Sequence, residues 1–575
     1  MKKITSFVLF AVMSLMLVSC ENVLTKDPLT KFTEDNFWTS ETNVELYSNY
    51  FYSTFTSYGT GGSGDFYFPT LHDNQVGRAF VNWKSTSVDA SNSTWNNAYT
   101  EIRRANIMLS HLSEVGLSKK SEAKWEGVAR LYRAMQHYYV VRSFGDCYWV
   151  DEVLTPQDEE ILYGARMDRD AVMDNVLKDL TFAVENIPAS TSRTEINQAV
   201  AQAIKSEICL YEGTFCKYRS SADGQKAPDA TRAKEYLTES LNASAAIMAN
   251  SNYSLNADYQ ANYNSMDLAG NKEMIMYKKY ATSLLTHGIT DYTTSSTMQL
   301  GMSKAAFDAF LFIDGECLAN TTCDKNDKAT FTQNSDDTWN ADLTAVLAVR
   351  DPRLSVDVDD ILVYQGNPGT PRIGTDGGCM ATTSSSGYGV KKFDNLNMEW
   401  SHRNNGNSAY TDGPVYWLAN IILNHAEAAA ELGQDAAAIA DINTIRQRPS
   451  TNMPTIASAA AIKADPANNM GVSNLIWEVR RERRVELMYD NDDRYWCLIR
   501  WHQLDKLDTV DYPEIVAGAW VGDHVLASNA PDVDANGYIT MAPKGDRVYE
   551  AKQYLRPIPS GQIGYNPQIG QNYGW

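Results

Sequence analysis

Apolar residues recur at three- and four-residue spacing in two long blocks of the chain, which is the pattern of amphipathic helices. The first block covers about residues 34–250 and the second about residues 412–508. The predicted helices are 95–112, 123–144, 169–186, 195–218 and 231–248, then 414–432, 436–448, 473–489 and 494–504. Helices in such series need mutual packing, so the sequence predicts a mostly α fold of helix pairs. These pairs suggest an α-solenoid scaffold, although no clean repeat of about 34 residues is visible.

The residues between and after the helical blocks predict loops with short strands. An insert at about 251–411 is rich in Asn, Asp, Ser, Thr, Gly and Tyr, and an irregular C-terminal segment covers about 509–575. So long a loop region is usually either functional or disordered. Its many aromatic residues argue against disorder. Because no Pro-, Gly- or Ser-rich linker divides the chain, we expect one body over residues 20–575.

The first 20 residues have the form of an export signal. Lys2 and Lys3 precede the apolar run 4–18, and the run ends in Leu-Val-Ser before Cys20. This ending resembles the bacterial lipobox, in which the signal (residues 1–19 here) is removed and the cysteine is acylated. Several acyl chains on Cys20 would anchor the chain durably, at about 0.8 kcal/mol per buried methylene. The alternative is an ordinary secretory signal with a coincidental cysteine.

The charge of the chain argues against nucleic acid as a partner. The formal net charge is −21, and it becomes −23 once Lys2 and Lys3 leave with the signal. There is no Lys/Arg block of the kind that follows phosphates. The cysteines beyond Cys20 have no framework spacing, and only Cys317 and Cys323 could pair. No second long apolar segment follows the signal, so we expect a body in water that is tethered at one end.

Ordered motifs in the C-terminal half resemble the signature of the SusD/RagB family of lipoproteins. The motifs, with further matches from the rest of the chain, are Glu482-Arg483-Arg484-Val485-Glu486-Leu487, Arg494-Tyr495-Trp496-Cys497-Leu498-Ile499-Arg500-Trp501, Tyr554-Leu555-Arg556-Pro557-Ile558-Pro559, Asn566-Pro567, Gln571-Asn572-Tyr573-Gly574-Trp575, Arg350-Asp351-Pro352-Arg353-Leu354 and Phe144-Gly145-Asp146. Cys497 departs from the family pattern, which usually has Asp there, and Pro449 stands where Ala is usual. The charges of the signature helix 473–489 are attributed to ion pairs within the helix and to neighbouring helices.

The resemblance implies a fold, a location and a partner. The fold would be a scaffold of tetratricopeptide-like helix pairs carrying a loop-rich, SusD-like binding face with short strands. The location would be the outer-membrane surface, reached through the lipid anchor, and the partner a SusC-like TonB-dependent transporter. The lipoprotein would capture an oligo- or polysaccharide and pass it to that transporter. Part of the family is associated with peptides, so a peptide ligand of the RagB type is the alternative.

Candidate glycan contacts are aromatic rings for stacking and polar side chains for hydroxyl groups. The loop 58–83 combines glycines, rings, acids and an arginine. Trp83 is the first choice for a stacking ring, with Asp65, Asp73 and Arg78 as hydroxyl partners; the alternative for Trp83 is a core ring that closes the loop. Weaker candidates are Trp95 at the next helix start, which could equally be a packing residue, and Tyr292, Trp339, Arg372 and Tyr388 in the insert.

Other motifs do not support a cofactor or a catalytic centre. The run 59–64 satisfies G-x-G-x-x-G, but Asp65-Phe66-Tyr67-Phe68-Pro69 follows instead of a helix. No H-E-x-x-H or C-x-x-C occurs, so no zinc site is predicted. Asp532, Asp534 and Asn536 match half of a calcium loop, but a two-residue Asn-Gly hairpin turn is favoured. A glycoside hydrolase would need two carboxylates about 5–10 Å apart, and no sequence signature points to such a pair.

Overall fold

The structure is a computed structural model of the chain. It describes residues 37–77, 81–294, 298–335, 339–364, 371–373, 383–384, 386–490, 493–522, 524, 532–540 and 547–575. The predicted lipidation site Cys20 and the predicted contact Arg78 lie outside the described residues.

The first helical block consists of helices that pack in sequence. Its helices are α1 Glu41–Ser48, α2 Ser93–His111, α3 Lys119–Phe144, α4 Glu159–Leu162, α5 Arg169–Asn186, α6 Gln198–Tyr218 and α7 Ala230–Met248. Helix α2 packs on α3, α3 on α5, α5 on α6 and α6 on α7. The five long helices begin at capping side chains that accept backbone N–H groups of the first turn, namely Asn92, Ser118, Asp168, Asn197 and Asp229. These helices confirm the five predictions for this block.

Short strands and helical turns fill the insert. The helices are α8 Ala261–Asn264, α9 Ile289–Thr294, α10 Lys304–Ala309, α11 Thr344–Leu347, α12 Pro352–Asp357 and α13 Trp400–Arg403. The strands are β1 Gln75–Val76, which precedes the insert, then β2 Met274–Lys278, β3 Met298–Gln299, β4 Gly301–Met302, β5 Thr330–Gln333, β6 Trp339–Asp342, β7 Ile361–Tyr364, β8 Pro371–Ile373 and β9 Thr383–Ser384. Strands β5, β6, β7 and β8 form an antiparallel sheet in that order, β1 pairs with β4, and β3 runs parallel to β9.

The second helical block packs on the first. It contains strand β10 Gly413–Trp417 and helices α14 Leu418–Glu431, α15 Asp435–Arg446, α16 Asn474–Glu486 and α17 Asp493–Arg500. Helix α14 contacts α6, α7, α15 and α16, so it joins the two blocks. The prediction of a helix from residue 414 is wrong for its first residues. They form β10, an antiparallel partner of β2, and a pairing with a strand about 140 residues earlier leaves no local signal.

The C-terminal segment crosses the helical body. It contains β11 Ala517–Trp520, β12 Asp532–Val533, β13 Tyr538–Thr540 and α18 Ser560–Tyr565. Near its end, Asn572 Nδ2 donates to the carbonyls of Phe144 (2.9 Å) and Arg556 (2.7 Å). These bonds attach the tail to the C-terminal end of α3.

The signature helix α16 is held by buried ion pairs to other segments. Arg446 Nε lies 2.9 Å from Glu482 Oε2, and Arg353 Nη1 lies 2.9 Å from Glu486 Oε2. Arg448 is fully buried and reaches Glu486 Oε1 at 2.8 Å. Isolated buried charges would be costly, so each carboxylate needs an opposing arginine with good geometry. The charges of α16 therefore hold it to other segments of the scaffold. The sequence predicted ion pairs both within the helix and to its neighbours, and those described here are mostly to its neighbours.

Among the described residues, the helices are all too short or too polar to cross a membrane.

Candidate functional site

The first-choice ring, Trp83, lies in the core of the protein. Its side chain is 8% exposed, and its Nε1–H donates to the carbonyl of Val548 at 2.8 Å. The ring of Tyr549 meets it edge-on at 6.4 Å. A ring enclosed in this way presents no free face to a ligand. The structure thus corrects the prediction and places Trp83 in the alternative role, closing its loop against the C-terminal segment.

Asp73 is also buried, and it is paired with two arginines. Its two carboxylate oxygens accept from Arg494 Nε at 2.7 Å and Arg494 Nη2 at 2.8 Å, and Arg484 Nη2 lies 3.2 Å away. Burial alone would raise the pKa of Asp73, but these two guanidinium groups outweigh it and hold the pKa well below its ordinary value. The carboxylate is therefore a structural anion, which corrects its prediction as a hydroxyl partner.

Two further predicted rings are buried. Tyr388 is fully buried and stacks on Phe307, with ring centroids 4.5 Å apart and planes 13° apart. Trp95 is 3% exposed and packs edge-on against Phe144 at 5.2 Å. Tyr388 is thus a core ring in this structure, which corrects its prediction as a contact. Trp95 is mainly a helix-packing residue, although one edge borders a cavity between α2 and residues 148–162.

Asp65 closes the glycine-rich loop. Its Oδ2 accepts the backbone N–H of Ser57 at 2.7 Å, and its own N–H donates to the Ser57 carbonyl at 2.7 Å. Burial raises the pKa of Asp65, which hydrogen bonds from Thr56 and Ser57 partly offset. These bonds fasten the two ends of the loop together. The structure therefore gives Asp65 the role of shaping the loop, in place of the predicted ligand contact.

Three segments far apart in the sequence meet at this loop, and we refer to residues 58–65, 286–292 and 404–407 as the loop platform. The Gly61 N–H donates to Asn407 Oδ1, and Thr286 Oγ1 donates to the Asn407 carbonyl. Asn407 has a φ of +60°, a left-handed conformation that Asn tolerates better than most residues. The segments that carry the predicted residues Asp65 and Tyr292 therefore meet here, although 226 residues lie between these two in the sequence.

Tyr292 is the half-buried ring of the loop platform. It lies in α9 and meets Phe68 edge-on, with ring centroids 5.1 Å apart and planes 89° apart. Gly62 has a φ of +67°, and a Cβ placed there would lie 2.9 Å from Tyr292 Oη. Glycine at this position therefore lets the loop backbone approach the ring closely.

Polar residues of the loop platform neighbour Tyr292. Asp291 is half-buried, and burial raises its pKa. Asn405 and Asn407 are exposed on the neighbouring loop. Carboxyl and amide groups beside a fixed aromatic ring can accept and donate hydrogen bonds to hydroxyl groups while the ring packs on an apolar face. Sequence reasoning missed Asp291 and Asn407. Residues 404–407 fall in the predicted loop-rich insert, but nothing in them pointed to Gly61.

Trp339 belongs to a different aromatic group. It is half-buried in β6, with the ring of His524 4.8 Å away, and His524 in turn stacks on Phe331 at 4.4 Å. The Phe331 ring also meets Trp520 at 6.0 Å. This cluster joins the β5–β8 sheet to the C-terminal segment. Arg372 lies in β8 opposite Val363, and its side chain is outside the described part of the structure.

The calcium-loop candidate forms a hairpin. Asp534 N–H donates to the Tyr538 carbonyl at 2.8 Å, and Asp534 Oδ1 accepts from the N–H groups of Asn536 and Tyr538. Gly537 has a φ of +88°. The loop therefore has three residues, 535–537, with glycine in the left-handed position, instead of the predicted two-residue turn. The side chain of Asp532 is not among those described.

Within the described residues, one group of acids and cysteine is close enough for a shared metal ion: Asp170, Glu212 and Cys216. Arg169 Nη2 lies 2.6 Å from Glu212 Oε2, and Arg219 Nη1 lies 2.8 Å from Asp170 Oδ1. Arginines thus already neutralise both carboxylates, so the group is an ion-pair cluster. The six cysteines described are all free, including Cys317 and Cys323.

Comparison with known proteins shows which family the chain matches. A model described as the SusD family matches residues 245–575, which is more than half of the chain. A SusD-like model described as starch-binding and associating with the outer membrane matches residues 21–210. A SusD-like protein of Formosa agariphila is 23% identical over 231 residues, covering 36% of this chain and 44% of that protein. The match thus spans less than half the length of this relative.

Solved structures share the fold across almost the whole chain. A SusD-like carbohydrate-binding protein of Bacteroides fragilis is 20% identical with a TM-score of 0.67, covering 93% of this chain and 100% of that one. A second SusD-like protein of Bacteroides fragilis is 21% identical with a TM-score of 0.66, covering 96% and 100%. A SusD superfamily protein of Parabacteroides distasonis is 16% identical with a TM-score of 0.59, covering 95% and 100%.

Proposed function

The chain belongs to the SusD family, and on that premise we propose that it binds a glycan at the cell surface and passes it to a SusC-like TonB-dependent transporter. The lipobox-like ending at Cys20 supports a lipid anchor, and the description of the matching N-terminal model supports association with the outer membrane. The carbohydrate-binding relative in Bacteroides fragilis supports a glycan as the ligand.

The observation that carries this proposal is the meeting of Tyr292 with the glycine-rich loop. The loop is closed at Asp65 and bonded to Asn407, and its backbone approaches the ring of Tyr292 at Gly62; Asp291 precedes Tyr292 in α9. A sugar ring would pack its apolar face on Tyr292, and its hydroxyl groups would bond to Asp291 and Asn407. Because these groups are held before the ligand arrives, binding costs little ordering of the protein.

A binding role requires only these features, whereas hydrolysis requires an acid and a second carboxylate across the scissile bond. The loop platform has two acids, Asp291 and Asp65, and burial raises the pKa of both, but the Asp65 carboxylate is occupied by a backbone N–H group. This arrangement favours capture without cleavage. Anchoring would raise the effective concentration of the captured glycan at the transporter, so moderate affinity of the lipoprotein alone is sufficient.

The test compares Tyr292→Ala with Tyr50→Ala in soluble protein that begins after Cys20. Tyr50 is an exposed tyrosine of the N-terminal region and serves as the matched control. We expect the wild type and the control to be retarded in gels that contain a cognate polysaccharide, and Tyr292→Ala to bind about tenfold more weakly, or about 1.4 kcal/mol. Equal retardation of all three proteins would reject the loop platform, and release of reducing ends would reject a pure binding role.

A further inference from the structure

A second concave site lies away from the loop platform, at the start of α2. The cavity has a volume of about 430 Å³ and lies between α2, residues 148–162 and α18. Its lining includes Tyr99, Tyr148, Asn96, Arg103, Glu152 and Gln562. The loop platform contributes none of its lining residues. The volume falls within the range of small-molecule sites, about 300–1,000 Å³.

Two tyrosine rings of the lining are fixed by hydrogen bonds of their own. Tyr99 Oη donates to the Tyr148 carbonyl at 3.2 Å and accepts the Tyr148 N–H at 2.9 Å. Tyr148 Oη donates to the Gly164 carbonyl at 3.0 Å and accepts from Asn566 Nδ2 at 2.8 Å. The ring centroids are 6.4 Å apart with planes 62° apart. Both rings are half-buried, so they offer rigid, partly open faces.

The polar part of the lining is balanced in charge. It contains one cation, Arg103, and one carboxylate, Glu152, together with the amides of Asn96 and Gln562. Arg103 is exposed and is steered towards the site by a 2.9 Å bond from its Nη1 to the Leu154 carbonyl. A balanced set of donors and acceptors next to fixed rings suits a neutral ligand with many hydroxyl groups. An anionic ligand would be repelled by Glu152, and a cationic ligand would be repelled by Arg103.

The surroundings of the cavity support an accessible site. Tyr163 is 51% exposed and follows the lining residue Leu162, and Tyr565 is 80% exposed and precedes Asn566, which holds Tyr148.

We propose that this cavity binds a neutral mono- or disaccharide unit, as a second glycan site beside the loop platform. The proposal rests on the proposed glycan-binding function and extends it, because a long glycan could then contact the protein at two places. Tyr99 and Tyr148 would supply ring faces, while Asn96, Arg103, Glu152 and Gln562 would bond to hydroxyl groups.

The test closes the cavity at its exposed edge. Thr100 lines the cavity and is exposed on α2, so Thr100→Trp should fill the space without disturbing the core. Asn97→Trp is the matched control, since Asn97 is also exposed, about one turn earlier, but does not line the cavity. The probes are maltose, cellobiose and lactose at millimolar concentration, followed by saturation-transfer NMR. Thermal unfolding of each variant verifies that the fold is retained.

We expect at least one disaccharide to bind the wild type and Asn97→Trp alike, and Thr100→Trp to weaken that binding at least tenfold. Arg103→Ala, which removes an exposed side chain and leaves the cavity open, should weaken it in the same direction. Unchanged binding in both cavity variants, or no disaccharide binding to the wild type, would overturn the second site. The two proposals can fail separately. If the wild type is retarded by polysaccharide and only Tyr292→Ala weakens that retardation, the second site is rejected and the proposed function stands. If the protein binds no glycan at all, both proposals are rejected.

Discussion

Asp73 provides the sharpest test of how the structure divides structural acids from ligand-contacting acids. The sequence suggested a hydroxyl partner, but the structure shows a carboxylate that is 6% exposed and paired with Arg494 and Arg484. Replacement by Asn keeps the size of the side chain and removes its charge. Arg494 and Arg484 would then be left as buried cations that share no carboxylate at this position.

Breaking a buried ion pair by removing one partner costs about 3–5 kcal/mol. Unfolding of the roughly 500 residues that the structure describes has an entropy of about 1 kcal/mol per kelvin, from about 2.1 cal/mol/K per residue. Asp73→Asn should therefore lower Tm by about 3–5 °C. Because the pKa of Asp73 is depressed in the folded state, its stabilisation is complete above the ordinary value of 3.8 and is lost as the pH falls below it. The gap in Tm between variant and wild type should accordingly narrow below about pH 4.

The assay pairs thermal unfolding with glycan binding, and Asp291→Asn is the matched control on the loop platform. We expect Asp73→Asn to have a lower Tm than the wild type, while its folded molecules bind glycan with wild-type affinity. Asp291, which is half-buried and has its pKa raised, should show the reverse, with weaker binding and little change in Tm. If Asp73→Asn kept the wild-type Tm but lost binding, the carboxylate would act on the ligand, and the structural assignment would be refuted.

Two further predictions use equally local changes. Gly62→Ala and Gly116→Ala both replace glycines with positive φ, +67° and +73°, but a Cβ at Gly62 would meet Tyr292 Oη at 2.9 Å and one at Gly116 would meet nothing within 4 Å. Both substitutions should therefore lower the free energy of unfolding by a similar amount, of the order of 1 kcal/mol. Only Gly62→Ala should weaken glycan binding, and equal binding by the two variants would contradict this prediction. Burial lowers the pKa of His137 to about 3, and its Nε2 accepts the Val150 N–H at 3.1 Å. The His137 ring should stay neutral in ¹⁵N NMR down to about pH 4. Because the unfolded histidine binds a proton below about pH 6.5, the free energy of unfolding should fall by up to about 1.4 kcal/mol per pH unit on acidification. Titration of the His137 ring near pH 6.5 in the folded protein would contradict this prediction.

The helices were predictable because their signals are local. Residues 169–186 form α5 with the predicted bounds, since Asp168 caps its start and the apolar spacing runs to its end. The start of α14 was mispredicted for the opposite reason. Gly413–Trp417 is buried throughout and mostly apolar, a run that fits either a helix or a central strand, and only pairing with β2 decides between them.

The candidate site was only partly predictable, because burial is a property of the whole fold. Trp83, Tyr388 and Tyr292 all lie in polar, glycine-rich sequence, yet the first two are core rings and only Tyr292 is half-buried. Nothing near Trp83 in the sequence shows that Val548 accepts its N–H. Likewise, Asn407 acquires a place in the loop platform through a bond to Gly61 that joins segments more than 300 residues apart.

The contacts of the family signature explain why resemblance indicates a class of function more readily than a ligand. Glu482 and Glu486 of the signature helix are buried against Arg353 and Arg446, so changes there would destabilise the scaffold. The loop platform and the α2 cavity are built from other segments, whose residues can vary without breaking these ion pairs. A shared signature therefore implies a shared scaffold, while under our two proposals the chemistry of the ligand would depend on residues such as Tyr292, Asp291 and Arg103 that the signature does not include.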